Sequence, residues 1–387
     1  MAKRTPLHIH MHGGWDFSIY RTWDFPRDVV EKWDFLSLYH GDFDIFVNYH
    51  WFSLWWEAFG RRSGLFVAVL RNDGEIKAIF PCCSRYSSIC SLTNIHSHYY
   101  DLLIEPEVRG EALSCFFELL RRIAPRSQIY FEQLPMAGEN AASLVSELQN
   151  SRTPFYRHSQ PWAPWAERPV DWSLFLDGLS GRLRNTLQRN RRKAEAEGPL
   201  SFETIKQSEQ LDKVLDAVFD IEYRSWKGRE GTAIKSRAVV ERFYRRLASL
   251  AMEHGHLLLC TLKLGDTPIA ADFCLCSGRT LFLLKPGYDE AFRHLSPGNL
   301  LHLEVFNYLH RDPAFSFYNF LGACDPWKME WTRNTESYGW IRIYPKTLQG
   351  RIEYLIKYGW RSFLKRFRIV RQFKAWADRR SHRPAIR

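Results

Sequence analysis

Residues 285–301 read KPGYDEAFRHLSPGNLL. They follow an apolar run, 281–284, with the profile of a buried strand. Ser296-Pro297-Gly298 then reads as a helix start. The Ser296 hydroxyl is placed to cap, and Pro297 at the first helical position gives up only an N–H that would be orphaned anyway. Gly298 has no side chain, so another molecule can approach the backbone closely. The N–H groups of Gly298, Asn299 and Leu300 would point outward at the positive end of the helix dipole. A phosphate there gains roughly 0.3–1 kcal/mol from the dipole, up to ~2 when partly buried. An ordinary capped helix after a loop gives the same local signal, so the order of the surrounding elements has to decide.

Working outward, the second half is regular. A helix over 180–197 stops at Gly198-Pro199, with Leu179, Leu183, Leu187 and Ala194 as its apolar face. Arg182, Arg184, Arg189, Arg191, Arg192 and Lys193 crowd its other faces, a solvated basic surface or a phosphate clamp. A strand (200–206), helices over 208–223 and 235–253, and a hairpin over 256–276 turning at Gly265-Asp266 follow. Then come the strand before residue 285, the helix over 297–310, a strand (316–320), a short helix (326–331) and a strand (338–344). The order is β-α-α-β-β-β-α-β-α-β.

The first half offers a strand over 19–25 and helices over 27–39, 49–59 and 111–123. Phe52, Trp55, Trp56 and Phe59 make a core stripe on the second helix. A hairpin over 65–83 turns at Asn72-Asp73-Gly74, and a strand follows at 128–133. LFVAVLRNDGEIKAIFPCC resembles LLLCTLKLGDTPIAADFCLC later in the chain, which suggests a duplicated unit. Residues 93–105, with His96, His98, Tyr99, Tyr100 and Asp101, read as a polar strand end facing a cleft; too few strong ligands lie nearby for a metal. Residues 151–171 hold four prolines and no period, which reads as an inter-domain connection.

Composition bounds the rest. No run of ~20 apolar residues predicts a transmembrane helix, and the N-terminus lacks the apolar stretch of a secretory signal. Eight scattered cysteines with no CxxC pair point to reduced thiols in a cytosolic protein. Net charge is +11, yet residues 349–387 alone hold twelve Lys/Arg against two acids. The nearly neutral body is therefore not expected to bind nucleic acid.

The order of elements resembles the GNAT acyltransferase fold, and the residues resemble the CelD/BcsL-type acetyltransferases. The motifs are WSLFLDGLSGRLRNTLQRNRRKAEAEG (172–198), YRSWKGREG (223–231), PIAADFCL (268–275), GYDEAFRHLSPGNLL (287–301) and FLGACDPWKMEWT (320–332). Asn319 stands where that family more often has aspartate. The family is similar in turn to the FemX/FemAB aminoacyl-tRNA-dependent transferases, which are double GNAT folds. The resemblance implies a mixed α/β (α+β) sheet protein of two tandem GNAT-like lobes, 1–160 and 161–348, with a basic tail at 349–387. It also implies acyl transfer from acetyl-CoA or a longer acyl-CoA to an amine, with direct attack on the thioester.

On that reading Leu283, Leu284 and Lys285 run beside the pantetheine, while Ser296, Gly298, Asn299 and Leu300 hold the diphosphate. An amine needs a base and an oxyanion donor rather than an enzyme nucleophile. Asp272 is a candidate base; Tyr288 and His294 flank the phosphate turn as further catalytic candidates, His294 as a base or a phosphate contact; and Lys328 could stabilise the acyl oxygen or bind an acceptor phosphate. Trp226, Trp331 and Arg184 are candidate acceptor contacts, and Tyr100 and Asp101 would close the cleft from the first lobe. From Ile352 onward the tail carries a Trp/Phe/Leu stripe with Lys/Arg on its other faces, the profile of a helix lying at a membrane surface through residues 349–380. The expectation is a cytoplasmic enzyme at the inner membrane face, acylating an amino sugar or a sphingoid amine in envelope polysaccharide or lipid assembly. The rival readings are a FemX-like aminoacyl-tRNA transferase and a non-catalytic scaffold.

Overall fold

A computed structural model describes residues 5–359; the tail stripe from Trp360 onward lies outside the described residues. The first half holds β1 (Leu7–His10), β2 (Trp15–Tyr20), α1 (Arg27–Ser37), α2 (Tyr49–Phe59), β3 (Gly64–Asn72), β4 (Glu75–Arg85), β5 (Ser88–Ser91), β6 (Leu103–Ile104), α3 (Arg109–Ile123), β7 (Gln128–Pro135), α4 (Glu139–Asn150) and β8 (Phe155–Glu167). The second holds α5 (Trp172–Gly178), α6 (Gly181–Glu197), β9 (Leu200–Ile205), α7 (Leu211–Tyr223), α8 (Trp226–Arg229), α9 (Ala238–Glu253), β10 (Leu257–Leu264), β11 (Thr267–Ser277), β12 (Thr280–Tyr288), α10 (Pro297–Arg311), β13 (Phe317–Asn319), α11 (Pro326–Met329), β14 (Asn334–Ile343) and α12 (Leu348–Tyr354).

Both halves repeat one pattern. β3 and β4 form an antiparallel hairpin whose turn puts Asp73 and Gly74 at φ 48° and 83°, the left-handed geometry that two-residue hairpins demand. β10 and β11 form the matching hairpin. Each hairpin leads into an antiparallel strand, a long helix and a strand parallel to that one: β5–α3–β7 in the first half, β12–α10–β13 in the second. The duplication suggested by the two hairpin sequences extends over this whole unit.

The last strand of each half then crosses over. β8 lies beside β13, β14 lies beside β7, and β8 and β14 pair with each other from Phe155↔Ile343 to Trp165↔Asn334. The result is one mixed sheet in the order β1-β2-β3-β4-β5-β7-β14-β8-β13-β12-β11-β10-β9, with β6 beside β4. Residues 151–171 are thus not a connection: most of them form β8, and position 160 falls within it. The prolines fit for a local reason. Pro161 and Pro164 flank a bulge at which Ala163 takes φ 44°, and below it one edge of β8 has no strand to bond with. The strand expected at 19–25 instead runs Trp15–Tyr20, and the chain enters α1 through Pro26 in extended geometry.

The hydrophobic core is shared between the halves. Phe43 and Phe46 of the first half meet Phe282 of β12 at 5.1 Å each, and Trp51 of α2 meets Phe243 of α9 at 5.9 Å. Burying an aromatic such as Phe282 contributes about 1.5–3 kcal/mol, so this seam is core rather than a loose interface. On the other face of the second-half sheet, α6 and α10 cover a separate cluster built on Leu183, Leu187, Leu281, Leu301 and Phe306.

Candidate active site

β12 and β13 pair only from Thr280↔Phe317 to Phe282↔Asn319. Beyond Phe282, β12 runs on to Tyr288 with no neighbour on that side, while the chain after β13 turns away through Leu321 and Gly322, both left-handed at φ 49° and 62°. The wedge between them is a cavity of about 590 Å³. β12 can run so close over α7 because its residue 287 is glycine; a Cβ there would lie 2.8 Å from Glu222 Cα.

α10 opens into this wedge. Ser296 does not cap it: the residue is left-handed (φ 50°, ψ 55°), and its hydroxyl accepts from the Asn190 side-chain amide of α6 at 3.0 Å. The amides of Asn299 and Leu300 donate back to Ser296 O at 3.0 and 3.2 Å, so they are not free as expected. Pro297 has no N–H, which leaves Gly298 as the first-turn amide with no acceptor among the described residues. A Cβ on Gly298 would stand in the cavity with only the Tyr288 ring nearby, at 3.7 Å. Arg293, exposed and unpaired among the described residues, lines the same mouth. An unbonded amide, a dipole end, an open cradle and a free guanidinium suit a phosphate group.

Deeper in the wedge, Lys328 of α11 is buried, not a surface lysine. Its ammonium donates to Leu321 O (2.9 Å) and Ala323 O (3.0 Å) and lies 3.1 Å from Asp325. Burial lowers its pKa and the Asp325 charge opposes that shift. Asp272 on β11 is 1% exposed. Its Oδ2 lies 3.3 Å from His302 Nδ1, out of line for a full hydrogen bond, and has no other partner among the described residues. His98 reaches the wedge from the first half with its Nε2 unpartnered; burial pushes its pKa down to about 3, so it stays neutral. Lys285 lies 5.4 Å from the Tyr244 ring and is held down to about 8, first by burial and then by Lys227.

Of the residues expected at the site, Leu283, Leu284, Tyr288, Ser296, Gly298, Asn299, Asp272, Lys328 and Trp226 line the cavity. The others do not. Leu300 is buried in the core under α10. Lys285 turns toward Tyr244 and α9. His294 points outward, 3.2 Å from Glu197. Arg184 pairs with Asp177 of α5 at 2.7 Å. Trp331 stacks on Phe306 in the core, and the neighbouring Trp327 takes its place in the cleft. Tyr100 is fully buried in the first half, donating to Pro81 O at 2.9 Å. Asp101 lines a separate cavity with His40 and Arg109. The first half's contribution is instead His98. His302, absent from the sequence-based candidates, also lines the cavity one helical turn after Gly298 on the same face, a spacing visible in the sequence.

Residues 181–329 match the family model described as an acetyltransferase (GNAT) domain. FemX, as a solved structure, is similar in fold: TM-score 0.55 at 12% identity, covering 81% of this chain and 95% of that one. The C-terminal domain of a protein described as a lysylphosphatidylglycerol synthetase, from Agrobacterium fabrum, gives 0.50 at 11% identity over 81% and 90%. A protein of unknown function from Bacteroides thetaiotaomicron gives 0.51 at 11% identity over 84% and 98%. No curated protein sequence matches the chain. The GNAT acetyltransferase domain at 181–329, built into a GNAT-like mixed sheet with its wedge open beside α10, makes this chain an acyltransferase.

Proposed function

We propose that the chain is an acyl-CoA-dependent N-acyltransferase of the CelD/BcsL type. The observation that carries this is the unplugged start of α10: a free Gly298 amide and an unpaired Arg293 at the end of a strand whose edge is bare. The CoA diphosphate would lie at Gly298 and Arg293, and the pantetheine along Leu283 and Leu284. The thioester would then reach the level of Lys328 and Asp272. Lys328, already held by two carbonyls, offers a fixed positive charge to the oxygen that becomes negative when the amine attacks. Trp226, 42% exposed at the rim, is an apolar wall for the acceptor.

The acceptor we favour is an amino sugar or a sphingoid amine used in envelope polysaccharide or lipid assembly at the inner face of the membrane. Support comes from the start of the tail. Leu348, Ile352, Leu355 and Ile356 follow helical spacing and are 76%, 46%, 58% and 71% exposed, an apolar stripe that the body leaves uncovered. No helix among the described residues is long and apolar enough to cross a membrane.

A second reading, the aminoacyl-tRNA-dependent transfer that the resemblance to FemX/FemAB-type transferases implies, is favoured by one observation. Arg189, Arg192 and Lys193 of α6 border a shallow exposed groove, and Asn190 of the same helix bonds to Ser296 at the mouth of α10. The test is a thermal-shift titration of the full chain with acetyl-CoA, palmitoyl-CoA, free CoA and an aminoacyl-tRNA. Stabilisation by CoA species is expected, and stabilisation by the charged tRNA alone would replace the first reading with the second. Flotation with anionic vesicles, lost on removal of residues 349–387, is the expected outcome for the tail.

A further inference from the structure

The wedge contains a side-chain pair that donor binding does not require. His302 and Asp272 come from different elements, α10 and β11, and both are almost fully buried while lining the same cavity. The His302 ring lies flat on Trp327 of α11, centroids 5.0 Å apart and 5° between planes. Its Nδ1 faces Asp272 Oδ2 and, from β13, the Tyr318 hydroxyl, each at 3.3 Å. Buried Tyr318 has its pKa raised well above the usual value by burial and then by the Asp272 charge, so it stays a phenol. Lys328, 5.4 Å from the other ring of this stack, that of Trp327, is held by the Leu321 and Ala323 carbonyls. His302 Nε2 has no partner among the described residues and is the nitrogen left for the cleft.

We propose that His302 accepts the proton from the acceptor amine and that Asp272 is the positioning residue behind it. The proposal rests on the acyl-CoA reading of the cleft. It replaces the expectation that Asp272 itself is the base, since that carboxylate is 1% exposed and its Oδ2 faces the imidazole Nδ1. With the proton on Nδ1 the ring presents a donor to the Asp272 carboxylate and the Tyr318 oxygen, the form the facing carboxylate favours, and leaves the Nε2 lone pair facing the acceptor. The amine nitrogen bonds to the acyl carbon, and the proton it sheds passes to Nε2. The C–S bond then breaks with its electron pair on sulfur, and the imidazolium returns that proton to the thiolate. The products are an amide and free CoA, and no other reactant is needed. Because His302 follows Gly298 by one turn, one rigid helix sets both the donor's phosphates and the proton acceptor.

Two measurements on the full chain decide it. Nitrogen-15 NMR of the wild-type histidines should show His302 protonated on Nδ1 and bare at Nε2, with that preference lost in Asp272→Asn. With acetyl-CoA and either glucosamine or sphinganine, His302→Gln should lose about 10²–10⁴-fold in kcat. Its acetyl-CoA affinity should stay within twofold, and added imidazole should restore part of the rate. A wild-type ring protonated on Nε2, or His302→Gln turning over within threefold of wild type, would overturn the proposal. A wild-type protein that binds no acyl-CoA would overturn the donor reading instead, and the tautomer with its dependence on Asp272 would still decide the pair.

Discussion

α3 and α10 hold equivalent places in their lobes, each joining two parallel strands, and each has glycine as its second residue, Gly110 and Gly298. Their mouths differ. Before α3, the turn Pro106–Val108 leads straight into the helix, and the Arg109 side chain reaches across to Asn140 and Glu139, each at 2.8 Å. The space between β5 and β7 is taken up by the chain itself: Tyr100 donates its N–H to Gln133 O and sinks its ring into the core. Before α10, left-handed Ser296 redirects the chain, and among the described residues no acceptor reaches the Gly298 N–H. Topology supplied two candidate sites; the segments 92–101 and 289–296 closed one and left the other open. The GNAT domain match falls on the open one.

The largest effect should come from plugging that opening. Gly298→Asp places a carboxylate where the diphosphate would lie and should weaken acyl-CoA binding by at least ~100-fold, about 2.7 kcal/mol, measured by calorimetry. Gly110→Asp, whose side chain enters open space at the closed mouth, should leave binding unchanged. Equal loss in both variants would mean that the two mouths do not differ as described.

A smaller effect compares two buried donors. Lys328→Met strips the Leu321 carbonyl of its donor and leaves Ala323 O with the Asp325 N–H alone, and Asn140→Ala strips the Leu102 carbonyl in the first lobe. Each should cost about 1–3 kcal/mol in denaturant unfolding, while only Lys328→Met should also lower turnover.

The smallest effect concerns the closed lobe. Burial pushes the Asp101 carboxyl up to about 7 from an ordinary value of 3.8. Between those pH values the folded chain keeps a proton that the unfolded chain gives up, so this group lowers stability as pH rises. Asp101→Asn should therefore raise the melting temperature by a few degrees at pH 8 and by little at pH 4. Nearby His40, 3.7 Å from that carboxylate and driven down to about 4 by burial and then by Arg109, contributes the opposite slope.

The hairpins, the long helices and the order of the second half could be read from periodicity and turn residues because those signals are local. β8 could not: its prolines read as a connection until the bulge at Ala163 and its neighbours β13 and β14 explain how they are tolerated. The same division runs through the site. Gly298, Tyr288 and the β12 leucines follow one continuous stretch and were legible. That the cleft-facing segment 93–105 sends in His98, and not Tyr100 or Asp101, depends on how it lies across the seam, and the exchange of Trp331 for Trp327 depends on which face of a one-turn helix packs inward. Spacing along the chain carries no record of either.

The crossing of β8 and β14 also imposes an order in time. On the ribosome the first half finishes β7 with one edge bare, and the strand that covers it, Asn334–Ile343, is still ~200 residues from being made, roughly 10–40 s at ordinary elongation rates. Throughout that interval a nascent chain presents an unpaired edge to any other strand nearby, a standing invitation to mispair. Holding factors that shield this edge during translation would then govern yield more than any property of the finished enzyme.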